Sequence, residues 1–179
     1  MKKMLIPVLL GLFVSSIAIS QSVIKFPATG NPIIEMTVPT SQWSVQNENS
    51  LLSITPKDSG ESSRLITMIW GSKTPTAETA VDDLVNEAFD VIEALLTDIV
   101  WAEDMSDFES NGMSFVALDG YGYYVNDNGT KDRMSTSVMI FFPDESNILT
   151  LVFFGTDVAY DKWETSLLEI ILSIKPVSL

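Results

Sequence analysis

The chain has 179 residues, carries 24 acidic side chains against 10 lysines and arginines, and contains neither cysteine nor histidine. The missing residue types exclude disulfides, cysteine nucleophiles and a Ser-His-Asp triad, and they remove the usual ligands of zinc, copper and haem. A formal net charge of −14 at pH 7 argues against nucleic acid and against anionic membrane surfaces as partners.

Residues 1–20 read as an export signal. Lys2 and Lys3 form its charged start, and residues 4–17 form an apolar stretch shorter than the roughly 20 residues of a membrane span. Ala18-Ile19-Ser20 puts small residues where a signal peptidase reads, so cleavage is expected before Gln21. No cysteine follows that would carry a lipid anchor. Residues 21–179 have the length of one domain, and they are more acidic still because the signal carries two lysines and no acid. Without disulfides, apolar burial alone must stabilise that domain.

Residues 22–31, with Phe26-Pro27 and Gly30-Asn31, read as a loosely held tail. Residues 32–38 alternate apolar and polar as a first strand, which Pro39 stops. Short strands are expected at 43–46, 51–55 and 65–70, separated by the Asn47-Glu48-Asn49-Ser50 turn and a polar, glycine-containing loop at 59–63. Thr74-Pro75 reads as a helix cap with proline at the first helical position. From there Val81, Leu84, Val85, Ala88, Val91, Ile92, Leu95 and Ile99 recur at three- and four-residue steps. The spacing predicts a helix over 74–97, about 36 Å long at about 1.5 Å per residue. Its other face holds Glu78, Asp82, Asp83, Asp90 and Glu93 with no basic residue to pair them.

An acidic segment follows at 102–110, and Asn111-Gly112 is a strong hairpin signal because both residues tolerate positive φ. Strands are expected at 113–125, 134–142 and 148–154. A closing helix over 158–173 presents Ala159, Trp163, Leu167, Ile170, Ile171 and Ile174 on one face, and Pro176 ends it. Strands, a helix, hairpin-linked strands and a second helix give an α+β domain, and the short connections make most of the sheet antiparallel.

Val38-Pro39 with Trp43 beyond it, the Leu51-Leu52-Ser53-Ile54-Thr55-Pro56 strand, the acidic helix and the closing Trp163…Ile170-Ile171-Leu172-Ser173-Ile174-Lys175 helix carry a resemblance. Their order and spacing resemble the PsbP-like superfamily, which includes the photosystem protein PsbP and Mog-type Ran-binding proteins, over nearly the whole of residues 21–179. The resemblance implies a mostly antiparallel β-sheet flanked by two main helices, an α/β/α sandwich, and a binding or scaffolding role rather than catalysis. No site motif accompanies it, so no functional residue is carried over.

What chemistry remains is carboxylate chemistry or calcium on oxygen ligands. The loop from Asn126 to Asp132 (NDNGTKD) has oxygen ligands and a glycine, but it lacks the acidic alternation and closing glutamate of an EF-hand and reads as a hairpin turn. Gly120 and Gly122 lie in a strand and form no phosphate loop. Phe115, Ala117, Asp119, Tyr121, Tyr123 and Val125 share one face of their strand. Tyr121, Tyr123 and the adjacent Asp119 are therefore the candidate binding residues, since tyrosine offers contact area with few rotors and a hydroxyl that tolerates water. The sequence thus predicts an exported, non-enzymatic binding or accessory domain with no cofactor and no metal. Its expected partner is a protein or small ligand of cationic or mixed charge, with the acidic helix raising the on-rate. The alternatives are a carboxylate-dependent hydrolase of envelope glycans, with Asp119 as one of its two carboxylates, and a purely structural subunit.

Overall fold

A computed structural model describes residues 20–60, 63–72 and 79–177. The expected export signal, apart from Ser20, and the Thr74-Pro75 helix start lie outside them. The main sheet has eight strands: β3 (Trp43–Asn47), β4 (Leu52–Pro56), β5 (Leu65–Ser72), β10 (Asn147–Thr156), β9 (Lys131–Asp144), β8 (Met113–Val125) and β6 (Thr97–Trp101) lie in that order, with β7 (Ser106–Ser110) pairing the other half of β8. A second sheet joins β1 (Ser22–Phe26), β2 (Ile34–Val38) and the short β11 (Lys175–Pro176). Every pairing is antiparallel. The fold is the α+β arrangement expected from the sequence.

Period-two alternation gives the main sheet two apolar faces. Leu65, Ile69, Phe115, Phe141, Leu149, Leu151 and Phe153 join the core under helix α2 (Asp157–Leu172) and the small sheet. Trp70, Met134, Val138, Ile140, Ile148, Val152 and Phe154 join the core under helix α1 (Thr79–Glu93). The helices therefore cover opposite faces.

Helix α2 uses the residues that its periodicity picked out. Ala159, Trp163, Leu167, Ile170 and Ile171 are buried on it, with Ile174 just beyond its end. Thr156 caps it by accepting from Ala159 N, and Asp157 places a carboxylate in the first turn, where the helix dipole favours it. The Asn111-Gly112 turn forms with φ of 51° and 77°, and its Asn111 Nδ2 donates to the carbonyls of Leu172 and Ile174, each at 2.8 Å. One hairpin tip thus satisfies the free carbonyls at the end of α2.

Three expectations need correction. Residues 22–26 are not a tail but strand β1, paired with β2 from Ser22↔Val38 to Phe26↔Ile34, with Phe26 buried. Helix α1 ends at Glu93 rather than Thr97, and its 15 described residues span about 22 Å. Leu96 turns inward and is buried, Asp98 takes a φ of 52°, and the chain becomes β6 against β8, which leaves Leu95 exposed and moves Ile99 onto a strand. Within the segment read as merely acidic, residues 106–110 form β7, an edge strand whose Phe108 stacks on Phe115 at 4.7 Å while Asp107 and Glu109 face water.

Candidate functional site

β8 and β9 pair over twelve residues' length without a shift, which fixes what meets across them. The register sets Tyr121 opposite Ser135, Tyr123 opposite Arg133 and Val125 opposite Lys131. The two tyrosines share one face and their rings meet edge to face with centroids 6.4 Å apart. The Arg133 guanidinium lies 4.3 Å from the Tyr121 ring centroid, and the Lys131 ammonium lies 5.9 Å from that of Tyr123. Each cation is also held by a carboxylate. Arg133 Nη1 donates to both oxygens of Asp157 at 2.8 and 3.0 Å, and Lys131 Nζ donates to Asp98 at 2.6 Å. The Lys131 hydrogen bond and charge hold the exposed Asp98 carboxyl below its ordinary range.

Ser135 extends this strip by donating its hydroxyl to Asp157 Oδ1 at 3.2 Å. It also lines a cleft of about 330 Å3 between α2 and the sheet, together with Asp119, Thr136, Phe153, Tyr160 and Ser106. Burial pushes the Tyr160 phenol above its ordinary pKa, with the charges of Glu164 and then Asp119 adding to the effect. The strip therefore reads, from Asp119 and Tyr160 to Asp98, as alternating carboxylate, hydroxyl, guanidinium, phenol and ammonium. Tyr121 and Tyr123 are half-buried and Asp119 is exposed, so the three predicted residues lie on one face, with Asp119 in the cleft and the tyrosines beyond it. Among the described residues lining this cleft Asp119 is the one carboxylate, whereas a glycosidase-type pair needs two.

Sequence reasoning missed the basic half of the strip. Lys131 and Arg133 were legible only as residues near a turn, and the register that lays them beside the tyrosines was not. The face assignment also overturns the supposed cooperation between the tyrosines and the acidic helix. Tyr121 and Tyr123 alternate with the α1-side residues Gly120, Gly122 and Tyr124, so α1 is behind the sheet from them. With charges screened over about 8 Å at physiological salt, and packed layers about 10 Å apart, α1 cannot strongly steer a partner onto that face.

A second candidate surface lies on the α1 side. Val116 and Leu118 of β8, Val138, Ile140 and Phe142 of β9, Val85 and Phe89 of α1, and Met105 of the β6–β7 link line an apolar groove of about 370 Å3. Met105 is 70% exposed and Phe142 37%, unusual for such side chains, so this groove opens to solvent. No group of three or more potential metal-ligating side chains is present among the described residues, nor is any described helix long and apolar enough to cross a membrane.

No protein-family model matches the chain, and no curated protein matches it. Solved structures do. LpqN, involved in cell envelope biogenesis of Mycobacterium tuberculosis, superposes with a TM-score of 0.56 and 15% identity, over 89% of this chain and 91% of that one. A protein of unknown function from Pseudomonas aeruginosa superposes with a TM-score of 0.51 and 11% identity, over 89% and 99% of the two chains. The PsbP of the cyanobacterium Synechocystis is among the matches, at a TM-score of 0.48 and 12% identity over 94% and 99%. At these identities the likeness is one of fold alone.

Proposed function

We propose that this protein is an exported accessory domain that docks on a partner of mixed charge through the Tyr121–Tyr123 strip. The observation that carries the reading is the pairing of each tyrosine with a cation that is itself tethered by a carboxylate, Arg133 by Asp157 and Lys131 by Asp98. Tyrosine and arginine are the residue types that concentrate binding energy at protein interfaces. Tethering reduces the rotamer freedom that these long side chains would lose on docking. The export signal expected at residues 1–20 supports a role outside the cytoplasm, and the fold is shared with LpqN, a protein involved in cell envelope biogenesis.

The test replaces Tyr123 with a photocrosslinking amino acid, with exposed Val23 on β1 as the control position, in native envelope extract. Adducts from position 123 that are absent from 23 are expected, and they should weaken when Tyr121→Ala and Arg133→Ala are combined in the crosslinker-bearing protein without loss of folding. If binding survives the double change but fails once Asp82, Asp83 and Glu87 are neutralised, the acidic helix is the site and this reading is wrong.

A further inference from the structure

The apolar groove beside α1 has a rim of one sign. Its helical wall carries exposed Glu93, one turn beyond the lining residue Phe89 and on the same row of the helix. On the other side Glu103 and Asp104 immediately precede Met105, and all three are exposed. At the far end Phe142 leads into exposed Asp144 and Glu145 of the β9–β10 turn. None of these three segments contains a lysine or arginine. An apolar floor is therefore flanked by negative charge from three separate elements.

We infer that this groove is a docking site for a basic amphipathic helix of a partner protein. A strip of aliphatic and aromatic side chains between two cationic flanks is the complement of such a surface, and helix-in-groove binding supplies it with anchors at three- and four-residue spacing. A single-headed amphiphile meets only one of the acidic segments, whereas a helix with basic residues on both flanks of its apolar stripe meets several. Met105 supplies a flexible contact at the rim, of the kind used by surfaces that receive helices. The site lies across the sheet from the tyrosine strip and does not depend on it.

The probe is a fluorescent 14-residue peptide of leucine and lysine with leucines at helical spacing, compared with a permuted peptide of equal composition and no apolar face. Anisotropy titration of the domain at 0.15 M salt should show the amphipathic peptide binding at least tenfold more tightly. Met105→Lys and Phe142→Lys, each checked for native folding by circular dichroism, should each remove most of that difference. Combined Tyr121→Ala and Tyr123→Ala should leave it unchanged, which separates this site from the proposed docking strip. Equal binding of the two peptides would reduce the effect to charge alone and overturn the inference. So would unchanged affinity in both lysine variants. Full displacement of the peptide by submicellar dodecyltrimethylammonium, bound as tightly as the peptide itself, would reassign the groove to a small amphiphile and likewise overturn it.

Discussion

Trp163 and Trp43 meet edge to face at 5.3 Å where α2 crosses the sheet, and they differ in one respect that sets their energies apart. Trp43 is 1% exposed and its Nε1 donates to Ser166 Oγ at 3.0 Å, whereas the buried Nε1 of Trp163 has no hydrogen-bond partner among the described residues. Truncating a buried tryptophan to alanine costs about 3–5 kcal/mol. At Trp163 part of that loss is offset, because the change also removes a buried donor whose desolvation costs about 1–3 kcal/mol. Trp163→Ala is therefore expected to cost about 1–3 kcal/mol. Trp43→Ala has no such offset and also strands the Ser166 hydroxyl, so it should cost at least the full amount of about 3–5 kcal/mol. The double variant should reveal a coupling of about 0.5–1.5 kcal/mol from the ring contact. Urea melts with unchanged m-values would measure all three. If Trp163→Ala costs less than about 1 kcal/mol, the helix is not packed as described. If it costs more than Trp43→Ala, the polar accounting is wrong.

Gly120→Ala should destabilise the domain by about 1–3 kcal/mol and loosen β6, because a Cβ there would stand 2.6 Å from the Trp101 ring and 2.9 Å from the Val100 carbonyl oxygen. In spectrophotometric titration at 295 nm, one phenol should ionise above the ordinary tyrosine range and be absent from Tyr160→Phe. With the folded pKa raised, the unfolded chain releases its proton first. The stabilisation from Tyr160 is therefore fully present below about pH 10 and is lost as pH rises through the folded value. Export predicts an N-terminus at Gln21 by intact mass and peptide sequencing; a membrane-retained full-length species would sink that expectation.

The elements that could be read from sequence are those whose burial pattern is local. Helix α2 is one-sided over its whole length, and β8 begins at Met113 and ends at Val125 as expected because Asn111-Gly112 and Asn126 to Thr130 supply turn geometry at both ends. What could not be read depends on distant chain. β1 is a strand because β2 lies beside it, and its SVIKF pattern has one buried residue, Phe26, to announce it. The three- and four-residue spacing of α1 continues past Glu93 through Leu95 and Ile99, but pairing of β6 with β8 wins over a further turn of helix. The tyrosines were visible as residue types, while their cations arrived through a register set by β9.

The groove follows from an imbalance between the two faces of the main sheet. On one face α2 is joined by the small sheet, whose Phe26, Ile34, Met36 and Val38 extend the same core. On the other the described cover is α1, about 22 Å long, over strands as long as the 14 residues of β9, roughly 46 Å at about 3.3 Å each. Those 15 described residues cannot cover both ends of such strands. The α1 face of β9 runs from buried Met134 and Val138 to Phe142 at 37% exposure, so its apolar pattern continues past the helix that packs on it. A purely solvated edge would place polar residues at Val116, Leu118 and Phe142, as β7 does at Asp107 and Glu109. Retaining apolar residues there while ringing them with carboxylates keeps the surface soluble and still leaves it complementary to a basic amphipathic partner.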